Sequence, residues 1–137
     1  MVSKICSAFI FIFAFLDQEM WSSAQSVTNV CSESIETGQC KAAFKRYAYS
    51  STDNRCVSFV YGGCGANGNN FENRNKCLSA CKPDCIQPLQ VDKCSRASKI
   101  RYGYNPQEEK CVEFAYGGSE QNPNNFETIE KCRAQCE

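Results

Sequence analysis

Short apolar segments alternate with polar clusters along the chain, and two pairs of these segments share one layout. Segments 44–49 and 56–61 are rich in aromatic and β-branched residues and flank a polar cluster at 51–54. Segments 100–105 and 111–116 flank a second cluster at 106–109. The pattern predicts two β-hairpins, one in each half of the chain.

A pair of cysteines four positions apart follows each hairpin, as Cys77 and Cys81 and again as Cys132 and Cys136. Residues at this spacing lie on one face of an α-helix. Asn73 and Thr128 precede the two pairs, and both residue types cap helix N-termini through their side-chain oxygens. Each half is therefore predicted to end in a short helix.

The N-terminal residues have the pattern of a secretory signal peptide. Lys4 precedes an apolar run at 5–16, and a polar stretch then ends in Ser22-Ser23-Ala24. The run is too short for a bilayer, which takes about 20 residues to span. We expect residues 1–24 to be the signal peptide and residues 25–30 an N-terminal extension of a secreted, extracellular protein.

Charge and the missing histidine exclude several classes of function. Without residues 1–24 the chain has 14 basic and 13 acidic residues, a balance too even to indicate binding to nucleic acid or a membrane. The sequence has no histidine, so the usual general base, the histidine-dependent nucleophiles and the commonest metal ligand are all missing. We expect no enzyme activity, no cofactor and no metal.

Cysteine is abundant, with 12 in 137 residues. In a secreted chain, closely spaced cysteines indicate disulfides rather than zinc ligands. Each half has about fifty residues, a size at which a hydrophobic core is marginal and covalent links supply the missing stability. The cysteines are therefore predicted to be structural.

The first six cysteines after the signal peptide are separated by 8, 15, 7, 12 and 3 residues. Between them lie Tyr61-Gly62-Gly63-Cys64-Gly65 and Asn69-Asn70-Phe71. This pattern resembles the Kunitz, or pancreatic trypsin inhibitor, family over residues 31–81, and less faithfully over residues 85–137. The resemblance implies a small disulfide-rich α+β fold of two tandem modules, each a twisted β-hairpin with a C-terminal helix. We call residues 31–81 the first module, 82–84 the linker and 85–137 the second module.

The resemblance also implies which cysteines pair, whereas spacing alone leaves fifteen pairings open for six cysteines. The family joins the first cysteine to the sixth, the second to the fourth and the third to the fifth. The implied pairs are Cys31–Cys81, Cys40–Cys64, Cys56–Cys77, Cys85–Cys136 and Cys111–Cys132.

In a Kunitz inhibitor, the residue after the second cysteine enters the primary specificity pocket of a protease, and here that residue is Lys41. A lysine suits trypsin-like enzymes, because its apolar stem fills the pocket and its ammonium meets a buried carboxylate. The class includes trypsin, thrombin, plasmin, kallikrein and factor Xa. The resemblance implies a reversible inhibitor with a substrate-like loop. Its protease-binding residues are Gln39, Cys40, Lys41, Ala42, Ala43, Phe44, Gly62 and Gly63.

The second module departs from the pattern at its corresponding loop. Ser119 stands where Cys64 would be matched, so Cys94 lacks its partner, and one extra residue lies between Cys94 and Arg101. Losing the disulfide forgoes about 3 kcal/mol on the chain-entropy model and frees the loop. Ser95, or Arg96 if the register shifts, is therefore not expected to inhibit in the standard way. Cys94 is predicted to be a free thiol or a disulfide bridge to another molecule.

Three functions remain open for the protein, and each uses the second module differently. With one intact and one distorted module, the chain resembles the secreted double-Kunitz anticoagulants of blood-feeding arthropods. In some of these, acidic residues of the C-terminal module dock on a basic exosite of thrombin. Kunitz ion-channel toxins use clustered basic residues instead, and a non-inhibitory binding module is the third alternative. The acidic candidates are Glu108, Glu109, Glu113, Glu120, Glu127, Glu130 and Glu137, and the basic ones are Lys93, Arg96, Lys99 and Arg101.

Overall fold

The computed structural model describes residues 29–91, 98–118 and 121–137, and the signal peptide expected at residues 1–24 lies outside them. The helices and strands form two halves of the same order, a small disulfide-rich α+β fold repeated twice. No helix in the described ranges is long and apolar enough to cross a membrane. The elements are β1 (Phe44–Ser50), β2 (Arg55–Tyr61), α1 (Arg74–Cys81), β3 (Lys99–Asn105), β4 (Lys110–Tyr116) and α2 (Ile129–Cys136).

Both predicted hairpins are confirmed, with strand ends within one residue of the expected positions. β1 pairs antiparallel with β2 from Phe44 opposite Tyr61 to Ser50 opposite Arg55. β3 and β4 pair in the same register, from Lys99 opposite Tyr116 to Asn105 opposite Lys110. We call the end of each hairpin at the connecting turn its turn end, and the opposite end its loop end.

Both helices begin at the caps that the sequence predicts. The Asn73 side chain accepts a hydrogen bond from the Lys76 N–H over 2.9 Å, and Thr128 Oγ1 accepts one from the Lys131 N–H over 3.2 Å. Because these bonds satisfy amide groups that the helix itself leaves unpaired, they set where the helix starts. Each helix has eight residues, so it depends on its disulfides and packing rather than on intrinsic helix stability.

Five disulfides link the described cysteines in the pairing that the family resemblance implies. Each helix is joined twice, once to its own hairpin and once to the segment before the hairpin. Cys40–Cys64 instead lies at the loop end of the first hairpin. The pairs are Cys31–Cys81, Cys40–Cys64, Cys56–Cys77, Cys85–Cys136 and Cys111–Cys132. The prediction for Cys94 concerns a residue outside the described part of the chain.

Mass spectrometry of the non-reduced protein is expected to show these five disulfides and one further cysteine, Cys94, that is alkylated, capped or bridged to a second molecule. The reason is that Ser119 occupies the position of its partner. Peptide mapping with and without iodoacetamide measures this directly. A peptide in which Cys94 is joined to a cysteine of the first module would contradict the two-module disulfide map.

Buried residues of the two modules form one continuous core cluster. From the first module it includes Leu78 of α1, and from the second it includes Tyr104 of β3; both are 0% exposed. Half-cystines make up the rest of its fully or nearly fully buried members, as expected for modules this small. The remaining members are Cys56, Cys77, Cys85, Cys111, Cys132 and Cys136.

Candidate functional site

The loop around Lys41 lies at the loop end of the first hairpin, directly before β1. The Cys40–Cys64 disulfide, with a Cα–Cα distance of 5.6 Å, joins this loop to the residues after β2. Residues Gln39 to Phe44 are all exposed. The protein thus presents an extended segment to solvent while its base is covalently held.

Backbone hydrogen bonds hold the loop on both sides of Lys41. The Ala42 N–H donates to the Gly62 carbonyl over 3.0 Å, and the Gly62 N–H donates to the Thr37 carbonyl over 2.7 Å. Gly62 therefore connects Thr37, before Lys41, with Ala42, after it. A loop held in this way loses little conformational entropy when it binds another molecule, because it is already held in one conformation.

Glycine is required where the two halves of the loop approach each other. A Cβ atom on Gly62 would overlap the Cys40 carbonyl oxygen, and one on Gly38 would overlap the Cys64 carbonyl oxygen. Gly38 also has φ +77°, in the left-handed region that favours glycine. A side chain at Gly38 or Gly62 would push the residues before Lys41 away from the residues that follow β2.

The Lys41 side chain extends into solvent without an ionic partner. No acidic group in the described ranges lies within salt-bridge distance of its ammonium. Glu72 of the same module is engaged elsewhere: the Lys76 ammonium, and more weakly Arg46, hold the pKa of this carboxyl below its usual range. Lys41 is therefore available to an external carboxylate.

Asn69 joins the far part of β1 to the segment around Glu33 from inside the first module. It is 0% exposed, and its Oδ1 accepts a hydrogen bond from the Tyr49 N–H over 2.8 Å. Its Nδ2 donates to the carbonyls of Tyr49 and Glu33. Asn124 makes the matching bonds to Tyr104 and Gln87 in the second module. A buried polar side chain with its hydrogen bonds satisfied fixes the segments that it joins.

At the loop end of the second hairpin, the described residues differ from those of the first module. Phe44 packs against Gly63, with ring carbons 3.2 and 3.7 Å from the position that a Cβ atom there would take. Lys99 takes the place of Phe44, and no described atom lies within 4 Å of the corresponding position at Gly118. Ser95, Arg96 and Ser119 lie outside the described residues, so their role stays a prediction.

Sequence reasoning missed two features of the site. Thr37 accepts the Gly62 hydrogen bond through its backbone, so its side chain gives no signal. Gly38 has a signal, a glycine two positions before the disulfide, but its close contact with Cys64 depends on chain segments 26 residues apart. The other expected loop residues, Gln39 to Phe44 with Gly62 and Gly63, are brought together at one end of the molecule.

A family model described as the Kunitz/bovine pancreatic trypsin inhibitor domain matches residues 30–82 and again residues 84–137. Protease inhibitors of Actinia tenebrosa are 42% identical over 115 residues, covering 77% of this chain and 40% of the relative. The Kunitz-type serine protease inhibitor bitisilin-3 of Bitis gabonica is 39% identical over 106 residues, covering 77% of this chain and 70% of the relative. Tissue factor pathway inhibitor of Rattus norvegicus is 36% identical, covering 78% of this chain and 41% of the relative. The chain thus spans about two fifths of the first and third relatives.

Proposed function

Because the chain belongs to the Kunitz/bovine pancreatic trypsin inhibitor family, we propose that it is a secreted, reversible inhibitor of trypsin-like serine proteases in which Lys41 enters the specificity pocket. Its relatives are protease inhibitors, and the protein is not an enzyme. The observation that carries the proposal is an exposed lysine, without an ionic partner among the described residues, on a loop held at Cys40, Ala42 and Gly62.

The mechanism is that of a very slow substrate. The protease receives the Lys41–Ala42 peptide bond in an extended loop, with the Lys41 ammonium against the carboxylate of its pocket. If the bond is cut, the disulfide and the Ala42 hydrogen bond keep the new amine beside the acyl group. Religation then competes with hydrolysis, so the complex persists.

Titration of trypsin with the purified full-length protein tests the proposal. We expect inhibition that saturates at one protein per active site and is reversed by dilution. Active-site-titrated trypsin and a chromogenic lysine substrate give the stoichiometry. No inhibition at a tenfold molar excess would contradict the proposal and favour the channel or binding alternatives.

The narrower form of the proposal is an anticoagulant, of the kind found as double-Kunitz proteins in blood-feeding arthropods, that acts on thrombin or another clotting protease. One relative is named as an inhibitor of the tissue factor pathway, which supports a target of this type. The second module has 8 acidic residues against 7 basic ones, whereas residues 31–81 have 4 against 6. Exposed acidic side chains fit a basic exosite outside the active site.

Neutralising Glu108, Glu113 and Glu130 together to Gln is expected to weaken thrombin inhibition about tenfold at low salt and to leave trypsin inhibition unchanged. All three side chains are exposed, and trypsin needs only the Lys41 loop. The difference should shrink at high salt, because exposed charges are screened beyond about 8–10 Å even at physiological ionic strength. Inhibition constants of both proteins against both proteases at two salt concentrations measure this.

The matched control neutralises three exposed acids of the first module, Glu36, Asp53 and Glu72. This control should not reproduce the thrombin effect. Equal constants for the second-module variant and the parent protein, at both salt concentrations, would remove the acidic side chains from thrombin binding without affecting the trypsin result.

A further inference from the structure

Tyr104 of the second module is buried more completely than contacts within its own module explain. It pairs with Cys111 across its hairpin, as Tyr49 pairs with Cys56 in the first module. The two tyrosines thus share one register, yet Tyr104 is 0% exposed and Tyr49 is only partly buried. The additional cover comes from the first module, because Tyr104 and Leu78 of α1 lie in the same core cluster.

Hydrogen bonds across the contact are formed by Asn75 in the first turn of α1. Its Oδ1 accepts a hydrogen bond from the Tyr104 hydroxyl over 3.0 Å. Its Nδ2 donates to the Pro106 carbonyl over 2.9 Å. One half-buried side chain of the first module thus satisfies a hydroxyl and a carbonyl of the second.

Lys82, at the end of α1, ties the linker to both modules. Its ammonium donates to Gln135 Oε1 of α2 over 2.8 Å and to Asn54 Oδ1, in the turn of the first hairpin, over 3.3 Å.

Burial raises the pKa of Tyr104 to about 12, with Arg74 opposing and Glu109 and Glu137 adding to the shift. A raised pKa is what a phenol kept from water by the facing module should show.

The contact uses only one side of each module. Its hydrogen bonds come from α1, the linker, α2 and the turn ends of the two hairpins. Each loop end lies at the far end of a seven-residue strand, about 20 Å away at roughly 3.3 Å per residue. Lys41, beside β1, and Lys99, in β3, therefore each lie about 20 Å from the turn end of their own hairpin.

We propose that the two modules form one rigid body, and that the first module supplies packing that the second module needs, since the second lacks the disulfide matching Cys40–Cys64. This proposal does not rest on the proposed function.

Backbone ¹⁵N relaxation of the free full-length protein tests the rigid body. We expect β1, β2, β3 and β4 amides to report one common anisotropic tumbling time. Two different, shorter tumbling times for the two hairpins would overturn the proposal. This measurement needs no protease, so its outcome is independent of inhibitory activity.

Amide hydrogen exchange of Asn75→Ala tests whether the first module supports the second. The substitution removes two hydrogen bonds to the second module, and we expect exchange of the protected β3 and β4 amides to become about tenfold faster. Tyr104→Phe, which removes only the hydroxyl, should give a smaller acceleration in the same amides. Ser79→Ala, an exposed change on the same helix, is the control and should leave β3 and β4 unaffected. Unchanged exchange in both Asn75→Ala and Tyr104→Phe would overturn the supporting role.

Discussion

Lys41→Glu is expected to abolish trypsin inhibition, with the inhibition constant raised at least a thousandfold. The variant places a carboxylate against the carboxylate of the protease pocket, and burying two like charges together costs several kcal/mol. A factor of ten in the constant corresponds to about 1.4 kcal/mol. Since Lys41 is exposed and has no ionic partner in the described chain, the fold should tolerate the change.

Two variants separate this effect from a general change of charge. Lys110→Glu makes the same charge change at an exposed position of the second module and should leave trypsin inhibition within about twofold, as for a surface change away from the site. Lys41→Arg keeps the positive charge at the specificity position and should retain strong inhibition. Full inhibition by Lys41→Glu would place the inhibitory residue elsewhere, with Arg96 the next candidate.

Gly62→Ala is expected to weaken trypsin inhibition about a hundredfold without changing Lys41. A methyl group at this position overlaps the Cys40 carbonyl oxygen and lies 3.0 Å from the Thr37 carbonyl oxygen. Both obstacles are backbone atoms, which cannot rotate away, so the loop itself must move. Misplacement of a reacting bond by about 1 Å is enough to cost a factor of this size in a protease complex. Inhibition constants and a thermal unfolding curve of the same sample measure the effect.

Gly65→Ala is the matched control, because Gly65 has φ +71° but the position of its added Cβ lies 3.8 Å from the nearest described atom, Gly38 Cα. It introduces left-handed strain, worth about 1–2 kcal/mol of stability, without a collision. We expect a lower melting temperature and nearly unchanged inhibition at 25 °C. Gly62→Ala that folds with its disulfides intact and inhibits like the parent protein would show that the close approach at Cys40 does not control the loop.

Local signals in the sequence predicted the helices and strands well. The polar clusters at 51–54 and 106–109 separate strand-forming segments, and strand preference and turn chemistry act over a few neighbouring residues. Asn73 and Thr128 cap the helices through contacts only three residues long. Lys41 was located by its place after Cys40 within the spacing pattern, which is also a property of the linear chain.

Features that depend on contacts between distant segments were harder to predict from the sequence. Gly62 and Thr37 meet because β2 brings residue 62 back beside residue 37, and the Thr37 side chain plays no part in the bond. The disulfide pairing shows the same limit, since spacing alone is compatible with fifteen pairings for six cysteines. Only the resemblance to a known family chose among them before the structure was considered.

By itself the sequence determined that this protein has two hairpin-and-helix modules, many cysteines to stabilise them, and a lysine next to Cys40. These depend on short-range preferences and on covalent chemistry that each residue carries with it. The tertiary structure alone decided that Gly38 must be a glycine and that Tyr104 is buried against Asn75 of the other module. The physical reason is that burial and close backbone approach belong to pairs of segments, and a pair is defined only once the chain has folded.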